Sequence, residues 1–434
     1  MLKSAHRLFV SAGLVAFSLS FASLASAQIE AQVVMDGLNN PRGLAIGADG
    51  AVYVAEAGRG GNGASVVAIP GETVSFGTTG AVSRWKLGEA QTRVRTGIAS
   101  VADQAAPPQQ GGPGSGATGL HDIVWSGGEM YGVIGWVGAG AERTAFAANG
   151  GDGSLFGRFV RLTSGGAFTG GVTYLADFVD YEQANNTDNG TLPGPGGLPE
   201  YNSNPYGIFA RAGGGFAAID AGANVLFDIG ADNTTLTPLA TFLPQPNPLY
   251  DDANPANGGP VYQAVPTSVT LGPNGSLFVS QLAGYPFKQG GANIYSVPSG
   301  GGAPTSVYTG FTTVIDLAFG PDGNLYVLQL TQNGLGPESN MNPGPGQLIR
   351  VDPTTGVKTL LNVTIPGPPD VLRFSSGMAF GGDGSLYVSN LGISPGGGQV
   401  LRLTGVTVPE PGAGLLALVG IVPIAAVIAR RRRK

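Results

Sequence analysis

The sequence contains no cysteine, so disulfide bonds cannot stabilise the fold and a hydrophobic core must do so. Histidine is almost as rare, since only His6 and His121 occur in 434 residues. The sequence carries no zinc-binding motif, P-loop or dinucleotide-binding fingerprint. Its glycine-rich run 111–116 lacks the lysine and the following helix that a phosphate-binding loop needs. These absences argue against zinc-dependent and nucleotide-dependent enzymes.

Positive charge is scarce in the body of the chain. Residues 28–407 contain 15 Lys and Arg against 27 Asp and Glu, which gives a net charge of −12. Because phosphate contacts need clustered basic side chains, we expect neither nucleic-acid binding nor attraction to a like-charged membrane surface. The 74 glycines and 32 prolines favour many short strands joined by turns over long helices.

The N-terminus has the three parts of a secretory signal. Lys3 and Arg7 precede an apolar run, 8–24, which ends at the small residues 25–27. This order is what signal peptidase cleaves. We therefore predict that residues 1–27 are a signal peptide and that the protein is exported through the inner membrane.

A second apolar segment lies at the C-terminus. Residues 412–429 carry no charge, and five basic residues, 430–434, follow at once. Eighteen helical residues extend about 27 Å, close to the bilayer core of about 30 Å. The sequence therefore predicts a single transmembrane helix with its basic end in the cytoplasm.

The motif Pro409-Glu410-Pro411 stands directly before this helix. A Pro-Glu-Pro motif, an apolar helix and an arginine-rich end in this order resemble the PEP-CTERM sorting signal of Gram-negative bacteria, here over residues 408–434. The resemblance implies cleavage near the motif by an exosortase, followed by release or attachment at the cell surface. Proteins with this signal often accompany exopolysaccharide production.

Six segments between the two ends share one pattern, in which an apolar strand, a glycine turn and a β-branched or aromatic strand follow one another. They are 43–56, 121–134, 207–220, 268–281, 316–329 and 377–390. Asp-Gly or Asn-Gly between such strands is a strong hairpin signal, which we interpret as a two-residue type I′ turn. Two further strands follow most hairpins, as in 347–352 and 357–363. Four-stranded repeats of this kind predict an all-β, six-bladed β-propeller over residues 28–407.

The sixth repeat has only three strands and ends at 399–404. The missing strand is found at the other end of the body, where 31–38 resembles the fourth strands 92–98 and 306–311. We therefore predict that the N-terminal strand pairs with the last blade and closes the ring, which leaves no unpaired sheet edge there.

The segment Gly37-Leu38-Asn39-Asn40-Pro41-Arg42-Gly43 leads into the first hairpin. With this lead-in, the repeat resembles NHL and lactonase-type propellers, and the body as a whole resembles the ScyD/ScyE family. That family implies an exported propeller associated with scytonemin pigment biosynthesis, and it supplies no catalytic residues to carry over.

Polar residues end five of the six second strands. If the two strands of a hairpin pair symmetrically about its turn, each of these polar residues lies opposite the first residue of the first strand. Glu56, for example, would lie opposite Gly43. We predict eight ligand-binding positions at the mouth of the channel: Glu56, His121, Asp220, Ser268, Gln281, Asp316, Gln329 and Asn390. Oxygen and nitrogen ligands in a ring suit calcium or a hydroxyl-rich molecule, with Glu56, Asp220 and Asn390 as the metal ligands. The alternative is that strands become polar where they reach solvent. No other cofactor is predicted.

The long loops leave one face of the propeller and the short hairpin turns leave the other, so we expect a binding site on the face with long loops. Three residues occupy the same position in their repeats: His121, Ser268 and Asp316. A hydrolase triad would need their side chains in contact across the channel. Alternation predicts that Asp122, beside His121, points to the opposite face of its strand.

We therefore predict an extracellular binding or scaffold protein whose ligand is a polysaccharide or a small metabolite. The alternative is a calcium-assisted, lactonase-like hydrolase acting on a small metabolite.

Overall fold

The computed structural model describes residues 29–67, 73–108, 111–136, 138–188, 201–339, 342–365, 367 and 371–407. The predicted signal peptide and sorting segment, 408–434, lie outside these residues. In the part of the chain that is described, no helix is long and apolar enough to cross a membrane.

The first strand of the chain, β1 (Glu30–Asn39), belongs to the last sheet. Blade 1 follows it, with an additional short strand, β4, on its long central strand. Its strands are β2 (Pro41–Ile46), β3 (Val52–Glu56), β4 (Ser65–Val67), β5 (Thr73–Trp85) and β6 (Thr92–Asp103). Blade 2 consists of β7 (Leu120–Ser126), β8 (Glu129–Ile134), β9 (Arg158–Arg161) and β10 (Thr173–Asp177).

Two α-helices occur in the connections of blade 2. They are α1 (Gly140–Ala148), before β9, and α2 (Phe178–Asn185), after β10. Short 3-10 helices at Gly153–Leu155, Pro255–Asn257 and Pro337–Ser339 also lie in connections. Blade 3 consists of β11 (Pro205–Ala210), β12 (Phe216–Asp220), β13 (Val225–Ile229) and β14 (Leu236–Thr241).

A small separate sheet follows blade 3, formed by β15 (Gln245–Pro246) and β16 (Val261–Tyr262). Blade 4 consists of β17 (Pro266–Leu271), β18 (Leu277–Gln281), β19 (Ala292–Val297) and β20 (Thr305–Phe311). Blade 5 consists of β21 (Val314–Phe319), β22 (Leu325–Gln329), β23 (Gln347–Val351) and β24 (Lys358–Leu361). Blade 6 consists of β25 (Gly377–Phe380), β26 (Leu386–Asn390), β27 (Pro395–Thr404) and β1.

The first strands of the six blades stand side by side around a central channel. Each contacts the first strand of the next blade, and β25 of blade 6 contacts β2 of blade 1. The protein is therefore an all-β, six-bladed propeller with four-stranded blades and few helices, as predicted. Its outermost strand in blade 6 is β1, which pairs antiparallel with β27 from Glu30 opposite Thr404 to Asn39 opposite Pro395.

The hairpin turns differ from the predicted type I′ turns in five blades. In blade 1, Ile46 pairs with Val52 across a five-residue connection, and only Gly50 of the Asp49-Gly50 pair has a positive φ, +78°. Asp49 Oδ1 instead accepts the N–H of Ala51 at 3.1 Å, an Asx turn. Blade 2 alone has a two-residue turn, because Ser126 pairs with Glu129 and both intervening glycines have positive φ.

The predicted register is corrected by two residues, one from the five-residue turn and one from a recurrent β-bulge. Glu56 lies opposite Pro41 rather than Gly43, and Leu44 lies opposite Val54, so an extra residue is accommodated in the first strand between them. Register shifts occur at the same place in blades 2 to 5. Sequence symmetry about a turn could not reveal a bulge several residues away.

The second strands are buried from end to end. Every residue of β3, β12, β18, β22 and β26 is buried, including the polar residue at the end of each. A strand that lies between two neighbouring blades is covered on both faces, which explains why these strands are continuously apolar rather than alternating. The polar residues that follow are therefore held inside the protein.

Candidate functional site

The five predicted polar residues at the ends of second strands lie inside the blades. Glu56, Asp220, Gln281 and Asn390 have no exposed surface, and Gln329 is 3% exposed. In four blades the side chain accepts a backbone N–H from the segment that leads into the first strand. These bonds are Asn39 to Glu56, Asn204 to Asp220, Thr312 to Gln329 and Arg373 to Asn390. Their common structural role is to hold that segment against its own blade.

The predicted metal ligands bind different groups. Glu56 accepts both arms of the Arg93 guanidinium at 2.9 Å, together with Ser83 Oγ at 2.6 Å. Asp220 Oδ1 accepts three backbone N–H groups and its Oδ2 accepts Ser203 Oγ. Asn390 Oδ1 accepts Arg373 N and Ser375 Oγ. Within the described residues, no three His, Asp or Glu side chains are grouped so that they could hold a metal ion.

His121 is buried beside the channel. Its Nδ1 lies 3.1 Å from the carbonyl oxygen of Pro205, and because a carbonyl only accepts, Nδ1 carries the proton. Burial, followed by the nearby Arg42 charge, lowers the pKa of His121 to about 3, so the ring is neutral at physiological pH. The ring packs on Tyr206 with centroids 4.8 Å apart.

Asp122, rather than His121, holds the position equivalent to Ser268 and Asp316. The two-residue turn of blade 2 is shorter than the turns of the other blades, so alignment on the turn glycine shifts blade 2 by one residue. Asp122 was not among the predicted site residues, but it lines the same cavities as Asp316. The repeated pair Asp-aliphatic, Asp122-Ile123 and Asp316-Leu317, was the signal in the sequence that could have shown this.

The central channel contains a cavity of about 280 Å³. Its walls come from the first strand of every blade and expose polar and apolar atoms alike, with Ile46, Trp125 and Phe209 among the apolar residues. Along each first strand, these residues come after the position that Asp122 and Asp316 hold, nearer to the hairpin turn. The cavity therefore lies on the side of the short hairpin turns. The expectation of a site on the face with long loops therefore does not describe this cavity.

The cavity narrows beyond the two carboxyl groups. A space of about 10 Å³, no larger than one water molecule, continues between His121, Tyr206 and Ser376 on the far side. Arg42 helps to close this end, because its guanidinium donates to the carbonyl oxygens of Gly392 at 2.5 Å and Ala117 at 3.0 Å. Sequence reasoning had not selected Arg42, Tyr206 or Asp122.

Each carboxyl group of the channel is fixed by the blades beside it. Asp122 Oδ2 accepts the N–H of Ile208 on blade 3 at 2.9 Å. Asp316 Oδ2 accepts the N–H of Met378 on blade 6 at 2.6 Å, and its Oδ1 accepts Ser268 Oγ on blade 4 at 2.5 Å. Of the three residues at equivalent positions, the structure thus joins Ser268 to Asp316 and places His121 at the same narrow space without a bond to either.

Burial raises the pKa of both carboxyl groups of the channel. Burial raises the pKa of Asp316 to about 6, and burial together with the Asp316 charge raises the pKa of Asp122 well above its usual value. Blades 2 and 5 are three apart in a ring of six, so the carboxyls face each other across the channel.

Comparison with known proteins shows likeness of fold alone. No protein-family model and no curated protein matches the sequence. A solved streptogramin B lyase structure is 14% identical, with a TM-score of 0.43 over 88% of this chain and 99% of that one. A putative gluconolactonase is 12% identical, with a TM-score of 0.46 over 87% and 93%. The soluble aldose sugar dehydrogenase from Escherichia coli is 12% identical, with a TM-score of 0.44 over 87% and 100%.

Proposed function

We propose that this protein is an exported propeller that binds a small metabolite in its central channel. The observation that carries the proposal is the cavity of about 280 Å³ with Asp122 and Asp316 at its narrow end. A concave cavity with converging polar groups and perturbed pKa values is the usual candidate for a small-molecule site. The volume suits a compact ligand rather than a polymer.

The walls and the narrow end favour a hydroxylated aromatic ligand. Trp125 and Phe209 offer flat apolar surface in the wall, on which an aromatic ring can pack. Asp122 and Asp316 offer carboxyl oxygens to hydroxyl groups at the narrow end. Ser268 is committed to Asp316, so it supports the carboxyl group rather than the ligand.

Catechol is a suitable probe for this site, with toluene as the analogue that lacks hydroxyl groups. We expect calorimetry to show catechol binding at pH 8 that the Asp122→Asn, Asp316→Asn double variant weakens at least tenfold. Losing a hydrogen bond to a charged group costs about 1.5–3 kcal/mol, and about 1.4 kcal/mol is tenfold in affinity. Binding should also weaken from pH 8 to pH 5, because protonation of Asp316, whose pKa is about 6, removes the acceptor.

Two further variants make this test specific. Ala318→Phe fills the cavity without touching either carboxyl group, and it should also abolish binding. Asp228→Asn changes a carboxyl group that pairs with Arg211 outside the channel, and it should leave binding unchanged. The proposal fails if toluene binds as tightly as catechol, or if both channel variants retain the affinity of the wild type at an unchanged melting temperature.

The hydrolase alternative is less well supported than binding. Its predicted calcium ligands Glu56, Asp220 and Asn390 are engaged in separate internal hydrogen bonds, which calcium would have to displace. No observation on the described residues favours hydrolysis, so binding is the function proposed.

The destination of the protein follows from its two ends. With a signal peptide at 1–27 and a PEP-CTERM segment at 408–434, the propeller would be exported, held by its helix and then released by exosortase to the surface or the medium. A role beside exopolysaccharide or scytonemin-type pigment production, as in the ScyD/ScyE family, is part of this proposal. Its processing partners are signal peptidase and exosortase.

Replacing Pro409 and Pro411 with alanine tests the sorting proposal. The variant keeps the apolar segment and the basic end, so it should insert normally but remain uncut. Intact-mass analysis of cells that express exosortase should find the wild type shortened, outside the inner membrane, and the variant retained there with residues 430–434. A wild type that keeps 430–434 in such cells would show that the segment is a permanent anchor.

A further inference from the structure

The narrow space beyond the channel cavity is lined by two polar side chains that do not line the cavity itself, His121 and Tyr206. Their rings pack on each other with centroids 4.8 Å apart. The cavity and the narrow space share three residues in their walls: Asp122, Ser268 and Asp316. A ligand in the cavity therefore has a path past the carboxyl groups to His121 and Tyr206.

His121 offers a hydrogen-bond acceptor to the narrow space. Its Nδ1 carries the proton and donates to the carbonyl oxygen of Pro205. Because the ring is neutral, Nε2 keeps a lone pair. Among the residues that the structure describes, no donor bonds to this nitrogen. The residue is 3% exposed, and a buried acceptor requires a donor from the space that it lines.

Tyr206 offers a hydrogen-bond donor to the same space. Three other hydroxyl groups line it, and each donates to the protein: Thr267 to Val314, Ser268 to Asp316 and Ser376 to Pro41. The Tyr206 hydroxyl forms no hydrogen bond within the described part of the chain. Burial raises the pKa of Tyr206, so the phenol keeps its proton. Its O–H is therefore available to an oxygen in the narrow space.

The size and the hydrogen-bonding groups of the narrow space together select a hydroxyl group. The volume of about 10 Å³ admits a single non-hydrogen atom. A hydroxyl oxygen accepts from Tyr206 and donates its own proton to His121 Nε2, so both partners are satisfied. A carbonyl or ether oxygen has no proton for His121, and an ammonium group has no lone pair for Tyr206.

The charges around the narrow space oppose ionised groups in it. Asp316 lines the space and, when ionised, repels a carboxylate. The Arg42 guanidinium lies close enough to His121 to add to the effect of burial in lowering the pKa of the ring. The same positive charge opposes an ammonium group beside His121. A neutral hydroxyl group avoids both repulsions.

We infer that the narrow space is a subsite for one hydroxyl group of the channel ligand, which accepts from Tyr206 and donates to His121 Nε2. This inference rests on the proposed function and adds that one hydroxyl group passes beyond the two carboxyl groups. Catechol has two hydroxyl groups, so one binds a carboxyl group while the other occupies the subsite. Tyr206 and His121 thus determine the specificity of the channel for a neutral hydroxyl group.

Calorimetry at pH 8 with matched variants tests the subsite. Tyr206→Phe removes the donor and keeps the ring, so it should weaken catechol binding about threefold or more. His121→Asn keeps an amide donor for the Pro205 carbonyl but removes Nε2, and it should weaken binding to a similar extent. Tyr308→Phe removes a hydroxyl that donates to Pro353 outside the channel, and it should leave the affinity unchanged. The melting temperature of each variant reports whether it is folded.

A second test uses the wild-type protein and needs no variant. Benzyl alcohol, benzylamine and benzyl methyl ether differ in one polar group, which is a hydroxyl, an ammonium or an ether. We expect benzyl alcohol to bind about threefold or more tightly than either of the other two, because only the hydroxyl satisfies both partners. Tyr206→Phe should reduce this preference.

The outcomes separate this inference from the proposed function. If the Asp122→Asn, Asp316→Asn double variant weakens catechol binding but folded Tyr206→Phe and His121→Asn variants bind catechol like the wild type, the subsite is ruled out and the proposed function stands. Tighter binding of benzylamine or benzyl methyl ether than of benzyl alcohol also overturns the inference. If neither catechol nor benzyl alcohol binds the wild type, the proposed function fails and the subsite fails with it.

Discussion

Deletion of residues 28–38 is expected to lower the free energy of unfolding by at least about 3–6 kcal/mol. The deleted segment contains Met35 and Leu38, which are 1% and 0% exposed, and burial of each such side chain contributes about 1.5–3 kcal/mol. The deletion also removes most of the strand that pairs with β27 and exposes its edge. If the N-terminal strand closes the ring, this loss should appear as a large fall in the urea midpoint and an increased tendency to aggregate.

A point variant distinguishes lost burial from the effect of shortening the chain. Leu38→Ala should cost about 2–5 kcal/mol, as is usual when a buried leucine is truncated. Val357→Ala, at a position that is 60% exposed on blade 5, should change stability by less than about 0.5 kcal/mol. A deletion variant with the urea midpoint of the wild type would rule out ring closure by this strand.

Replacement of Asp220 by alanine is expected to cost about 3 kcal/mol or more. Its carboxylate accepts the N–H groups of Asn204, Gly222 and Ala223 at 2.6–3.0 Å. Each buried donor that loses its acceptor costs about 1–3 kcal/mol. Ser203 Oγ loses its partner as well. The urea midpoint measured in the presence of a calcium chelator should therefore fall.

Asp180 provides the matched control, because its carboxyl group is 78% exposed and forms an ion pair with Arg143 at 3.0 Å. Asp180→Ala should cost less than about 1 kcal/mol, as is typical of exposed pairs. A different outcome would restore the metal interpretation. If Asp220→Ala is as stable as the wild type in chelator but loses a stabilisation that calcium confers on the wild type, Asp220 is a calcium ligand.

The turns and the strand composition predicted all six hairpins. Segments such as 316–329 combine an apolar strand, a glycine turn and a second apolar strand, and the structure has β21 and β22 there. Such features are local, so a single sequence displays them. The turn type was wrong in five blades. In blades 1, 4, 5 and 6 an aspartate or asparagine before glycine forms an Asx turn in a longer connection, and in blade 3 the connection is glycine-rich without such a residue.

The candidate site was harder to predict than the hairpins. The turn of blade 2 has two residues whereas those of the other blades have five, so alignment on the turn glycine displaces the first strand of blade 2 by one residue. For this reason Asp122 was missed and His121 was chosen in its place. The buried ends of the second strands were missed for another reason, since whether a polar residue meets solvent or a backbone N–H depends on how the neighbouring segment packs.

The sequence by itself determined the all-β class, the six hairpins and the order of the strands, because turn chemistry and strand periodicity act between residues close together in the chain. It also determined the acidic charge of the body, which is a matter of composition. Only the tertiary structure decided that Asp122 and Asp316 share one channel and that His121 and Tyr206 meet beside it. These residues are far apart in sequence, and their meeting depends on register and packing across several blades.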